Sequence, residues 1–400
     1  MLIPTVGLVR FLHTSDWHLG RRFHQVGLLA AQAAYLDHLA DTARTEQVDA
    51  VLVSGDVYDR ALPSPEAVAL LSDALTRLVD TGAHVVVTSG NHDSATRLGF
   101  GGSLLERSGL HLRTTLADLD RPIVVKDTAV FGLPYLEPRL VARPLGLTEV
   151  THAQALREAM SRVRVAAESV GTRHTVVMAH AFVTGCASSD SERDISVGGV
   201  CAVPSEVFDG VSYAALGHLH GRQQVGDRVR YSGSPVAMSF GESGHVKGDW
   251  LIELTGGEVR GEVVEAPVER PLAVLRGTFE DLLNDPRHVT AETAYCQVTL
   301  TDPVRPLGAM ERLRRRFPHT LNLLFDPEGV ATTRSPYAAR VAAQSDLDVC
   351  CDFVSHVRGG AAADPAERAL LLEALDGSRV ERIGREDEGA LSVSRAEGAA

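Results

Sequence analysis

Residues 9–21 read Val-Arg-Phe-Leu-His-Thr-Ser-Asp-Trp-His-Leu-Gly-Arg. An apolar run, Val9–His13, leads into Asp16-Trp17-His18, two metal-ligand residue types two positions apart. Four further runs end in the same manner. Ala50–Ser54 leads into Gly55-Asp56, His84–Ser89 into Gly90-Asn91-His92-Asp93, Thr175–Met178 into Ala179-His180, and Tyr213–Leu216 into Gly217-His218-Leu219-His220. Short apolar runs bounded by Gly and polar clusters predict strands. Five ligand motifs at five strand C-termini predict one site along one sheet edge, where open α/β sheets hold their ligands. Asp, His and Asn together suit a divalent transition metal.

In an extended segment residues i and i+2 point to one side, so Asp16 and His18 are expected on one metal. His218 and His220 have the same spacing and carry the same expectation. Asp56 follows a glycine, which leaves its carboxylate uncrowded and free to bridge two cations. Asn91 adds an amide oxygen and His180 an imidazole. The predicted ligands are therefore Asp16, His18, Asp56, Asn91, His180, His218 and His220. With Asp56 shared, each of two metals has four protein ligands and room for water. Such pairs, ~3.5–4 Å apart, serve in-line displacement at phosphorus by neutralising charge on the phosphoryl oxygens. His92 is expected as general acid toward the leaving alkoxide rather than as a ligand. A histidine in that role needs an orienting partner on its other nitrogen. Asp59 and Asp93 are the choices, and Asp59, in Gly-Asp-Val-Tyr-Asp-Arg, is preferred. Arg21 and Arg22 are candidate phosphate contacts. Any one of these motifs alone is more often a turn or a loop; their ordered combination is what points to a site.

At 400 residues the chain is expected to form two or three domains. Its 44% hydrophobic content suits a globular protein with a sizeable core. No apolar run of membrane-spanning length and no signal-peptide pattern is read, so a cytoplasmic location is expected. A net charge of −13 argues against a broadly basic nucleic-acid coat. It leaves a nuclease open, because metals meet phosphate locally and a partner can supply basic surface. Five cysteines without CxxC spacing read as reduced thiols. Lysine occurs only at Lys126 and Lys247; every other basic residue is arginine.

Strand and helix patterns alternate to about residue 265, predicting helices over a sheet. Helices are expected at Gly27–Gln47, Pro65–Asp80 and Thr148–Val170, with a Pro-rich loop running from Pro134 through Pro144. Val229–Tyr231 and Trp250–Thr255 read as late strands of a second sheet, which closes a two-sheet sandwich between helices. The expected divisions are 1–265, a metallophosphoesterase-type α/β sandwich; 266–344, a small α+β cap; 345–376, a helical partner-binding segment; and 377–400, a mobile tail.

Asp16-x-His18, Gly55-Asp56-x-x-Asp59-Arg60, Gly90-Asn91-His92-Asp93, His180 and Gly217-His218-x-His220 resemble the calcineurin-like metallophosphoesterases. In those proteins the residue at the position of Asp59 pairs with the catalytic histidine, which implies an Asp59–His92 dyad here. Phe11–Arg21, Gly132-Leu-Pro-Tyr-Leu136, His180-Ala-Phe-Val-x-Gly185, Ser191-Glu-Arg193 with Val197-Gly-Gly199, and Tyr231-Ser-Gly-Ser-Pro235 are similar to the SbcD branch, nuclease subunits of bacterial SbcCD complexes. Phe353, Val357-Arg-Gly359 and Pro365-Ala-Glu367 before a Leu-rich helix resemble the part of that branch that holds the partner. The resemblance implies a manganese-dependent 3′-to-5′ exonuclease on duplex DNA and an endonuclease on hairpins and blocked ends. It also implies an SMC-like ATPase partner, SbcC, and a homodimer within a heterotetramer. Two other readings stand beside it: a small-substrate phosphodiesterase on the same scaffold, and a non-catalytic scaffold.

Overall fold

In the computed structural model, which describes residues 7–192, 202–328, 346–358 and 362–386, each of the five apolar runs is a strand. Val9–Thr14 is β1; Arg22–Phe23 and Val26–Gly27 (β2 and β3) form a short ribbon; Ala50–Ser54 is β4, His84–Thr88 β5 and Leu110–Arg113 β6. Ile123–Val125 (β7), Thr128–Gly132 (β8), His174–His180 (β9), Tyr213–Gly217 (β10), Gln223–Val225 (β11) and Val229–Tyr231 (β12) follow, then Gly248–Thr255 (β13) and Glu258–Glu265 (β14). They make two six-stranded sheets, ordered β14-β13-β1-β4-β5-β6 and β11-β12-β10-β9-β8-β7. The inner strands run parallel, so the loops after β1, β4 and β5 leave one edge together, as do those after β9 and β10. Register sets motifs side by side: Gly217 lies opposite His180, and Ser54 opposite Thr88.

The strands are apolar on both faces because both faces are covered. In the first sheet Leu12, Val51, Val53, Val85 and Val87 pack with the helices Leu29–Thr45 (α1) and Pro65–Val79 (α2), through Leu36, Leu39, Leu71 and Leu78. In the second, Phe131, Val177 and Leu216 pack with Leu156, Met160 and Val163 of the helix His152–Val170. The alternate residues, Phe11, Leu52, Val86, Val130, Val176, Met178 and Ala215, fill the space between the sheets. Burying each such side chain contributes roughly 1.5–3 kcal/mol. The two sheets are also tied by polar contacts: Ser54 Oγ donates to the Ala215 carbonyl at 2.9 Å, and His13 Nδ1 meets Tyr213 Oη at 2.8 Å. The fold class is thus the expected α/β two-sheet sandwich flanked by helices.

Four expectations need correction. Trp250–Thr255 belongs not to the second sheet but to the first, where β13 runs antiparallel to β1 with His13 opposite Trp250. Its apolar residues fit either sheet, and pairing partners are not written in a strand's own sequence. The stretch read as a Pro-rich loop holds a helix, Pro138–Leu145, because Pro138 stands in its first turn, where no amide donor is lost. The last helix runs from Pro365 to Glu386, past the expected end of the helical segment at 376 and into the stretch read as a tail. The helix expected from Thr148 begins at His152, where Thr151 caps it by accepting from the Gln154 amide at 3.1 Å.

The chain divides into two compact units. One comprises the described residues through Leu275 with Leu283–Val298 and Met310–Leu323; the other comprises Arg276–Leu282, Thr299–Ala309 and the described residues from Leu324. Leu272–Gly277 (β15), Tyr295–Leu300 (β16) and Thr320–Phe325 (β17) form a three-stranded sheet in that order, and the first part of each strand lies in the larger unit. In the smaller unit a helix spans Asp346–Val357 ahead of Pro365–Glu386. Arg193, Val197-Gly198-Gly199, Cys201, Gly359 and the end of the tail from residue 387 lie outside the described residues. No helix of the described residues is long and apolar enough to cross a membrane. Cys186, Cys296, Cys350 and Cys351 are free thiols.

Candidate metal centre

The seven predicted ligands meet in one cluster at the C-terminal ends of the strands. His18 Nε2 lies 3.1 Å from His220 Nε2. Asn91 Oδ1 lies 2.9 Å from His180 Nε2 and 3.2 Å from His218 Nδ1. Asp56 Oδ2 stands between these two lobes, 3.5 Å from His18 Nε2 and 3.4 Å from His180 Nε2. Its other oxygen accepts from the His92 amide at 2.8 Å. Asp16 groups with His18 and His220 and also with Asp56 and His180, and both its oxygens face the His218 amide, at 3.0 and 3.1 Å.

The spacing rule applied to the sequence does not describe how these residues converge. β1 ends at Thr14 and β10 at Gly217, so Asp16, His18 and His218 lie beyond the strands. All three have left-handed backbone, with φ of 54°, 44° and 104°, as does Asp56 at 49°. Non-glycine residues adopt this region at a cost of about 1–3 kcal/mol each, and such strain gathers at functional sites. One consequence is that His218 and His220 do not share a side: His220 faces His18, whereas His218 faces Asn91. The glycines before the motifs are required by close approach. A Cβ on Gly55 would lie 2.5 Å from His180 Nδ1, and one on Gly90 or Gly217 would overlap Asp56 or the Ser54 carbonyl.

Asp16, His18, Asp56, His180, His218 and His220 are buried, and among the described residues no Lys or Arg side chain joins the cluster. Two carboxylates, four imidazoles and an amide oxygen that converge out of water need a cation between them. This donor set fits a pair of divalent ions. In the protein alone the charges settle otherwise. Burial raises Asp16 to about 6. Burial would also raise Asp56, but His180 and then His18 and His92 hold it well below the usual range. Burial would lower His180, yet the Asp56 charge and hydrogen bond lift it to about 9. His18 falls to about 4 and His218 to about 3, in both cases chiefly by burial.

His92 stands beside the His18 lobe, its ring edge-on to the His18 ring at 4.7 Å between centroids. Asp59 does hold it, but not through the expected group. His92 Nδ1 is 2.8 Å from the Asp59 backbone carbonyl, whereas the Asp59 carboxylate faces His18 Nδ1 at 3.6 Å and Arg21 at 2.9 Å. Asp93, the other choice, is occupied by the amides of Val57, Tyr58 and Gly90. Arg21 is thus tied to Asp59, and the exposed Arg22 donates to the Gln25 carbonyl within its ribbon.

Several residues of the site had no assigned role in the sequence. Gln32 of α1 holds the turn after β1, donating to the Trp17 and His18 carbonyls at 3.0 and 2.7 Å and accepting from the Gly20 amide. His180 Nδ1 is fixed on the Ser54 carbonyl at 3.0 Å. Ser191, Glu192, Glu242 and Lys247 surround His220. The only signals were the Ser191-Glu192 motif and the rarity of lysine.

The family profile of the calcineurin-like phosphoesterases matches residues 9–222, more than half of the chain. The chain belongs to the calcineurin-like phosphoesterase family and is a metal-dependent phosphoesterase. A second profile, SbcD_C, described as the Type 5 capsule protein repressor C-terminal domain, matches residues 268–358. The two segments together support an SbcD-type nuclease subunit. Among solved structures the chain is similar to a dimetal phosphatase from Danio rerio, at 13% identity and TM-score 0.38 over 65% of this chain and 99% of that one. It is similar also to TT1561 of Thermus thermophilus, at 11% and 0.37 over 64% and 99%. GAP50, the anchor in the inner membrane complex of Plasmodium, gives 12% and 0.40 over 80% and 98%.

Proposed function

We propose that this chain is a DNA nuclease subunit that hydrolyses phosphodiester bonds and works with an SMC-like ATPase of the SbcC kind in DNA repair and recombination. The observation that carries this reading is the convergence of the seven ligands with His92 beside them, in a chain that also carries the second matched segment from residue 268. Asp16, His18 and His220 would hold one ion, Asn91, His180 and His218 the other, and Asp56 would stand between them. Bound divalent ions, Mn2+ in this reading, supply charge neutralisation at phosphorus and an acidified water. His92 keeps its Nδ1 proton on the Asp59 carbonyl, so it would act as general acid in its doubly protonated form, giving the Nε2 proton to the departing alkoxide and returning to the neutral imidazole. The Asp59 carboxylate lies 3.6 Å from His18 Nδ1, while its backbone carbonyl holds His92. Residues 266–344 would cap the site and present DNA, and 345–376 would bind the partner. A homodimer within a heterotetramer, and a cytoplasmic, nucleoid-associated location, belong to the same reading.

The test is cleavage of a blunt, end-labelled duplex by the purified chain with Mn2+, with and without the partner ATPase and ATP, beside a small phosphodiester. Stepwise loss of nucleotides from the 3′ end, stimulated by the partner, is expected. Rapid turnover of the small ester with DNA untouched under every condition would refute the nuclease reading.

A further inference from the structure

His220 differs from the other candidate ligands in what holds it. Its Nε2 faces His18 in the cluster, and its Nδ1 lies 2.6 Å from Ser191 Oγ. Ser191 Oγ lies 2.6 Å from Glu242 Oε1. The Glu242 side chain is fully buried, and its other oxygen pairs with Lys247 Nζ. The carboxylate is held further by the Met238 amide at 3.2 Å, Ser239 Oγ at 3.0 Å and Ser234 Oγ at 3.3 Å. Lys247 Nζ also donates to Ser234 Oγ at 2.9 Å and to the His220 carbonyl at 3.0 Å, so each of its three hydrogens has an acceptor. A second strap reaches the same residue: the His220 amide donates to Glu192 Oε1 at 2.7 Å, and Glu192 Oε2 accepts from the Ser189 amide and hydroxyl.

Ser191 Oγ also lies 2.9 Å from Ser189 Oγ, whose own proton goes to Glu192, and the shorter contact to the charged Glu242 is the one that takes the Ser191 proton. A histidine that binds a cation through Nε2 carries its proton on Nδ1 and must donate it. Ser191 Oγ accepts that proton and has one of its own, which goes to Glu242. Glu242 can only accept, and Lys247 can only donate. The chain therefore runs one way, from His220 to a carboxylate that a buried ammonium neutralises. A buried Lys–Glu pair contributes little to stability, since desolvation offsets most of its attraction. His180, by contrast, rests on a neutral carbonyl.

We propose that Ser191 and Glu242, anchored by Lys247, are positioning residues that set the tautomer and aim of His220 for the ion it shares with His18 and Asp16. The proposal rests on the two-metal reading above. Outer partners of this kind govern metal affinity by about 10–100-fold, and this relay acts on one ion of the two.

The experiment uses the full chain and Mn2+ itself. Binding is followed by titration calorimetry and by electron paramagnetic resonance for wild type, Ser191→Ala, Ser191→Thr and Glu242→Gln, with melting temperatures of the metal-free proteins alongside. Ser191→Ala should weaken one of two bound ions about 10–100-fold and leave the other at wild-type affinity. Ser191→Thr should restore it, because the hydroxyl returns, and Glu242→Gln should weaken the same ion. Two ions bound by Ser191→Ala as tightly as by wild type would overturn the proposal. Equal weakening of both ions with a lowered melting temperature would overturn it too, since it marks a general loss of structure. A wild-type chain that binds no Mn2+ would instead remove the two-metal reading on which the proposal stands.

Discussion

Loading the site with divalent ions at neutral pH should expel a proton from His180. The Asp56 charge and hydrogen bond, working against burial, hold this imidazole up to about 9. A metal ligand must be deprotonated, so ion and proton compete for the same nitrogen. pH 7 lies about two units below that value, and each unit is worth about 1.4 kcal/mol, so the competition weakens binding by about 3 kcal/mol, or roughly 100-fold. Apparent affinity should therefore rise about tenfold per pH unit between pH 6.5 and 8.5. The slope steepens below pH 6, where Asp16, raised to about 6 by burial, also holds a proton. The metal-free protein has the opposite dependence. His180 has a folded value above the ordinary 6.5 of a histidine, so its contribution to stability is complete below 6.5 and is lost as pH rises through 9. Calorimetric titration with Mn2+ at pH 6.5, 7.5 and 8.5, in two buffers of different ionisation enthalpy, measures both affinity and proton count. About one proton released per protein is expected at pH 7.5. Affinity independent of pH, with no proton released, would refute the ion pair between His180 and Asp56 and the ligand role built on it.

His92→Ala should leave both ions bound and lower turnover by about 10²–10⁴-fold; loss of bound Mn2+ would make His92 a ligand. Asp59→Ala separates the two accounts of that residue. With its carboxylate facing His18 Nδ1 at 3.6 Å and its carbonyl on His92, the variant should lose about tenfold or more in Mn2+ affinity while His92 keeps its backbone partner, and unchanged affinity with lost turnover would favour the side-chain dyad. Asp249 is a buried carboxyl that accepts from Tyr35 Oη at 2.9 Å, and burial lifts it from 3.8 to about 7. The folded state holds that proton more tightly than the unfolded chain, so stability should fall by about 4 kcal/mol as pH rises from about 4 to 7. Asp249→Asn should flatten the difference in melting temperature between pH 5 and pH 8, and an unaltered difference would show that Asp249 does not carry it.

The five strands that carry the site, and the residue types at their ends, were legible in local pattern. Alternation of Leu12, Val51, Val53 and Val85 against Phe11, Leu52 and Val86 is a local pattern, and so is a glycine placed just before a ligand. Such signals are readable because the period of a strand is fixed by its own backbone. Tertiary structure alone decided the rest. Trp250–Thr255 could pair with either sheet, and only the packed fold set it against β1. The i, i+2 spacing put His218 and His220 together on paper, but a left-handed turn at His218 sent them to opposite lobes. Asp59 was visible as a partner of His92, though not that its carbonyl would make the contact while its carboxylate turned to His18. Ser191, Glu242 and Lys247 reach His220 from sequence distances of 29, 22 and 27 residues. No periodicity links residues so far apart, and their meeting depends on the loops between them being packed in place.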